Sequence, residues 1–165
     1  ADALPAYVAE KSIKLFEEFN VLTEVEARSR YEVKLEKYTK LMNIEVRTMK
    51  RMTRRTFLPA INKYATLVAN EINEMKAACA GIDTSVQDQL LNTVVDGIKE
   101  IALNELHAAH LAIRDLTDEQ EKANKYAHEI VPMMERLRAG VDAMEIVVAH
   151  DLWPVPTYND ILFYC

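Results

Sequence analysis

The stretch ANKYAHEIVPMMERLRAGVDAMEIVV, residues 123–148, decides the fold class. Its apolar positions Ala123, Ala127, Ile130, Met134, Leu137, Val141, Met144 and Val148 recur by fours and threes. That spacing is the seam of a helix packed at small crossing angles against antiparallel partners. A strand would alternate every second residue, and no such alternation occurs ahead of the C-terminal tail. Pro132 falls early in the seam and predicts a kink there, since proline lacks a donor and clashes with the preceding turn.

Working upstream, Thr84 or Ser85 caps a third long helix that carries Leu91, Val94, Ile98, Ile101, Leu106, Ile113 and Leu116. Thr117 or Asp118 caps the seam helix. The connections around Gly81 to Thr84 and around Thr117 are short enough to force antiparallel neighbours. Before them a helical pattern runs from Thr23 nearly to Ala80. Thr23-Glu24-Val25-Glu26 has the form of a capping box. Tyr31, Leu35, Tyr38, Met42, Met49 and Met52 mark its first stripe, and Ile61, Tyr64, Val68, Ile72 and Met75 its second. Pro59 falls between the stripes and is expected to kink or split the rod, and Gly81 to close it. This helix is longer than its partners, so part of it projects beyond the bundle or folds back at Pro59. The kinked, projecting rod is the preferred reading. A short first helix is expected over residues 3–19, stopped at Asn20. The expectation is therefore an all-α chain: an antiparallel helical bundle over residues 1–150 with one very long helix kinked near Pro59, then an extended apolar docking tail over residues 151–165.

Composition agrees with helix. The chain has 165 residues, half of them apolar, with 3 glycines and 5 prolines, which leaves little turn chemistry for a sheet. A net charge of −6 argues against a nucleic-acid partner. No run of apolar residues is long enough for a membrane span. The N-terminus has no basic and apolar leader pattern. Its abrupt start without Met suggests a processed start or a piece of a longer protein. Cys79 and Cys165 stand in no metal or redox spacing. They read as free thiols in a reducing compartment, with a bridge between them the other possibility.

Candidate chemistry is sparse. Arg47, Lys50, Arg51, Arg54 and Arg55 stand at i, i+3, i+4, i+7 and i+8, a basic stripe suited to phosphates or an acidic neighbour. No aromatic interleaves it, so a solvated face paired with acids of another helix or domain is the plainer reading, with a subunit contact the next. His107 and His110 lie one turn apart near Glu100 and Glu105, but a bundle di-metal site wants Glu-x-x-His, and the chain has none. Asp118, Glu119 and Glu121 suit a helix start. Cys79 has no basic neighbour to activate it. No glycine-rich phosphate loop or nucleophile elbow is present. On residue chemistry the chain is an interaction or scaffold module, with no catalytic, cofactor or metal residue assigned.

Three stretches carry a resemblance: LPAYVAEKSIKLFEEFNVLTEVEARSRYEVKLEKY (4–38), FLPAINKY (57–64) and LWPVPTYNDILF (152–163). In this order they resemble the C-terminal region of type III glutamine synthetases. The resemblance implies a longer, cytoplasmic parent that joins ammonia to glutamate with ATP and a divalent metal such as magnesium. It implies that those sites lie on a sheet-based catalytic domain, and that the parent assembles as a homo-oligomer. Packing on the catalytic domain and oligomer assembly are the expected roles here, with a regulatory ligand- or protein-binding module as the alternative. In the tail, Trp153 is expected to pack on the bundle end. Ile161, Leu162, Phe163 and Tyr164 are expected to run back along the bundle or onto the catalytic domain, and Tyr158 is counted with Trp153 and these among the apolar residues of the tail that need cover.

Overall fold

The structure, a computed structural model, describes residues 1–163, with Tyr158 described by its backbone alone. Every regular element among the described residues is a helix: α1 (Leu4–Tyr7), α2 (Glu10–Glu18), α3 (Glu24–Met52), α4 (Leu58–Ala78), α5 (Ser85–Glu100), α6 (Leu103–Arg114), α7 (Glu119–Lys125), α8 (Val131–Val147) and α9 (Tyr158–Leu162), with two π-helical turns and a 3₁₀ turn between them. The residues group into two compact units, one of 1–48 and 104–134, the other of 49–103 and 135 onward.

In the first unit the expected opening helix is broken at Val8 and Ala9. Ala9 is extended at ψ 145°, and the Ser12 hydroxyl donates to the Ala6 carbonyl across the break at 2.8 Å. Asn20 ends α2 nearby with a left-handed φ of 51°, which asparagine tolerates better than most residues. The Thr23 capping box is present. The Glu26 carboxylate accepts from the Thr23 N–H at 2.9 Å, and the Glu26 N–H donates back to the Thr23 hydroxyl at 3.3 Å. Ala27, Leu35 and Val46 of α3 are buried, as are Leu106, Ile113, Ala123, Tyr126 and Ile130. Polar ties join the same elements. Thr39 donates to Glu119 at 2.8 Å, Tyr31 to Gln120 at 2.6 Å, and buried His110 pairs with Asn43 at 2.9 Å. Asp118, rather than Thr117, caps α7 by accepting the Glu121 N–H at 2.7 Å.

In the second unit α4 buries Ile61, Val68 and Ile72 and packs on α5. Gly81, at φ +93°, turns the chain between them, a backbone conformation that favours glycine. Neither Thr84 nor Ser85 caps α5 with its side chain. Thr84 holds the N-cap position, and Asp83 just ahead of it accepts the Ser85 N–H at 2.9 Å. Two glycines set the approach of α5 to α8. A Cβ on Gly97 would stand 2.3 Å from Met144 Cε, and one on Gly140 would stand 3.2 Å from Ile101 Cγ1. Positions 97 and 101 thus face 144 and 140, the antiparallel register expected of this pair.

Further sequence expectations change. The third long helix is not continuous: α5 ends at Glu100 and α6 begins at Leu103. Ile101 leaves helical geometry at ψ 83°, and the Leu103 N–H reaches only back to the Ile101 carbonyl at 2.6 Å. Buried Ile101 and Leu103 hold this break, and no proline or glycine marks it in the sequence. Met52, assigned to an apolar stripe, is exposed. The prolines at 59 and 132 interrupt the α-helical pattern in one shared way. Each is preceded by a π-helical turn, Thr53–Phe57 and Tyr126–Ile130, closed by the Leu58 N–H to the Thr53 carbonyl and the Val131 N–H to the Tyr126 carbonyl. Widening the turn before proline relieves the contact between its ring and the carbonyl four residues back.

Candidate interaction surfaces

The basic stripe is a run of five cations along the end of α3 and the π-helical turn after it. Arg47, Arg51, Arg54 and Arg55 are exposed and Lys50 is half-buried. None of the four arginines makes an ion pair with any described residue. Elsewhere the helices pair their cations locally: Lys14 with Glu10, Arg28 with Glu24, Lys40 with Glu36 and Arg138 with Asp142, all four residues apart. Along the stripe cations stand three or four residues apart: Arg47 with Lys50 and Arg51, Lys50 with Arg54, Arg51 with Arg54 and Arg55. Each like-charge pair on a helix costs about 0.2–0.5 kcal/mol. Arg54 and Arg55 lie inside the π-helical turn, which moves them off the simple α-helical face read from spacing.

The tail divides at Thr157. Trp153 is 7% exposed and its ring meets Phe57 at 5.4 Å between centroids. Its indole Nε1 is buried and finds no acceptor among the described residues. Leaving such a donor unpaired costs about 1–3 kcal/mol.

Beyond Thr157 the tail is not extended as expected but coils into α9. Thr157 caps it: the Asp160 carboxylate accepts from the Thr157 N–H at 2.8 Å and from its hydroxyl at 2.7 Å, while the Asp160 N–H donates to that hydroxyl at 3.2 Å. The sequence carries this signal in Thr-x-x-Asp, a capping box with Asp in place of Glu. His150 Nε2 stands 3.2 Å from both Asp160 oxygens. The Thr157 hydrogen bonds, with His150 adding, hold the Asp160 carboxyl below the usual carboxylate range. Although α9 is capped, Ile161, Leu162 and Phe163 are 65%, 71% and 72% exposed. They do not run back onto the described helices. Tyr164 and Cys165 lie outside the described residues, as does the Tyr158 side chain.

His110 is buried beside Tyr126, ring centroids 6.2 Å apart. His107 is half-buried and Cys79 is an exposed free thiol. Among the described residues no three His, Cys, Asp or Glu side chains come together to hold a metal. No described helix is long and apolar enough to cross a membrane.

Comparison with known proteins gives the relationship. Residues 1–76 match the family model of the glutamine synthetase C-terminal domain. The chain is similar over 98% of its length to a type-3 glutamine synthetase of Dictyostelium discoideum, at 30% identity, and to glutamine synthetases of Butyrivibrio fibrisolvens, at 28%, and Bacteroides fragilis, at 26%. In each case it spans 23% of the relative's length. By the match of residues 1–76 and by relatives aligned along 98% of its length, this all-helical chain is similar to the C-terminal domain of glutamine synthetases.

Proposed function

We propose that this chain is a non-catalytic helical region of a glutamine synthetase, serving to pack against the parent's catalytic domain and to build its oligomer. The parent would ligate ammonia to glutamate with ATP and magnesium, as a cytoplasmic enzyme of nitrogen metabolism. That chemistry would reside in the part of the enzyme outside these residues. The observation that carries the reading is α9. A short helix held by a reciprocal cap and by His150 nevertheless leaves three consecutive large apolar side chains in water. Covering each such side chain is worth roughly 1.5–3 kcal/mol, so the tail is built to meet another surface, and the parent's catalytic domain is the surface always at hand.

The experiment is deletion of this region from a full-length type-3 enzyme, followed by sizing and assay. Loss of the native assembly or of solubility is the expected result. A truncated enzyme of normal size and full activity would overturn the reading. The arginine run favours one second reading, a regulatory module binding anionic metabolites or a protein partner. Calorimetry of the chain against glutamine, nucleotides and 2-oxoglutarate tests it, and three flat titrations remove its small-molecule form.

A further inference from the structure

The exposed face of α4 is electrically two-ended. Pro59, Lys63, Leu67, Asn70 and Glu74 follow one another at helical intervals on the side opposite buried Ile61, Val68 and Ile72. Arg54 and Arg55 stand one turn ahead of Pro59, and Glu71 and Glu74 stand at the far end, all four exposed. None of the four makes an ion pair with a described residue. Arg55 and Glu74 are about 28 Å apart along the helical run at about 1.5 Å per residue. That exceeds the Debye length of roughly 8 Å at physiological salt, so the two ends cannot satisfy each other within one chain.

We infer that this face pairs with the same face of a second copy of the chain, turned end for end about a two-fold axis crossing α4 between Lys63 and Leu67. In that arrangement Arg54 and Arg55 of each copy meet Glu71 and Glu74 of the other, and the contact occurs twice by symmetry. Leu67, 50% exposed, lies within a turn of the axis and is covered. A parallel pairing would set arginine against arginine. A uniformly acidic partner would suit the arginines and repel Glu71 and Glu74. Only a surface with both signs at the same separation answers both ends, and a reversed copy has it by construction. The inference rests on the assembly reading above and names one of its contacts.

Sedimentation equilibrium of the chain at low and high salt tests it. A dimer that weakens as salt rises is expected. Arg55→Glu and Glu74→Arg should each raise the dissociation constant by about tenfold or more, since each change acts twice across the two-fold. The combined Arg55→Glu/Glu74→Arg chain should regain association. Far-UV circular dichroism at matched concentration keeps an unfolded variant from counting as a dissociated one. A chain that stays monomeric at low salt, single reversals without effect, or a double swap that does not recover would each overturn this face. The deletion experiment on the parent enzyme would still judge the assembly reading independently.

Discussion

Removing Trp153 tests both halves of what the structure says about it. Its ring is almost wholly buried against Phe57, which argues for a packing role. Its indole N–H is buried without an acceptor among the described residues, which argues for a standing penalty. Trp153→Ala loses the whole ring, and aromatic-to-alanine changes at such sites cost about 3–5 kcal/mol. At roughly 2–4 °C per kcal/mol for a chain of this size, the melting temperature should fall by about 6–20 °C. Trp153→Phe keeps a ring against Phe57 and deletes the orphan donor. It sacrifices about 1 kcal/mol of packing and relieves about 1–3 kcal/mol of desolvation. The net change should lie within about 1–2 kcal/mol of zero on the same figures. Thermal unfolding followed by far-UV circular dichroism reads both variants. The unsubstituted chain supplies a control, because Trp153 is its only tryptophan. Native emission should therefore be blue-shifted and should move red through the unfolding of this site. The reasoning fails if Trp153→Phe destabilises as much as Trp153→Ala, or if native emission already matches that of indole in water.

The other predictions concern single contacts. Gly97→Val would place its Cβ 2.3 Å from Met144 Cε and 2.4 Å from Sδ, on a methionine that is itself buried. The overpacking should cost about 1–3 kcal/mol, and an unchanged urea midpoint would show that α5 and α8 are not in this register. Asp118→Ala removes the α7 cap and should cost about 1 kcal/mol, whereas Thr117→Ala should leave the midpoint where it was. The Glu119 carboxyl is held below its ordinary range by the Lys122 hydrogen bond, with Thr39 adding and burial opposing. A depressed folded-state value contributes stability that is present above the unfolded carboxylate value of about 4.3 and is lost as pH falls through the folded one. An NMR titration of the Glu119 carboxyl should find a midpoint below about 4.3 that moves upward in Thr39→Val. A midpoint at or above that value would contradict the hydrogen-bond geometry.

What could be read in the sequence follows from which interactions are local. The seam of α7 and α8 was legible because Ile130, Leu137, Val141, Met144 and Val148 are buried where their spacing puts them. The Thr23 box was legible because its partners are three residues apart. The break between α5 and α6 was not. It uses no proline or glycine and is held by the burial of Ile101 and Leu103, which depends on neighbours distant in the chain. Pro59 and Pro132 gave the positions of two irregularities, but their form, a π-helical turn ahead of each proline, is settled by how the backbone recovers its hydrogen bonds. Thr84, one of the two positions read from the sequence, is the N-cap of α5, but the side-chain oxygen that accepts a helix-start N–H is that of Asp83, and spacing alone does not rank the adjacent oxygens.

The candidate surfaces show why interaction residues resist pattern reading. The arginine run was visible as a spacing that expects acidic partners from another helix or domain, and among the described residues none pairs with Arg47, Arg51, Arg54 or Arg55. In the tail, hydrophobicity predicted burial for Trp153 and for Ile161 to Phe163 alike. Among the described residues of this chain only the tryptophan of that set is buried, its ring against Phe57, ahead of the Thr157 cap that turns the chain into α9. The distinction between a side chain that completes the chain's own core and one kept for another surface lies in what its neighbours have already satisfied. An ordered helix end with its polar groups paired and its apolar groups bare is at a local minimum for its backbone and not for its side chains. The like-charge spacing of the arginines has the same character, a cost borne by the isolated helix that only an outside surface removes. Both features belong to the second unit, α9 wholly and the arginines from Arg51 onward, so substitutions there should disturb association while leaving helix content intact.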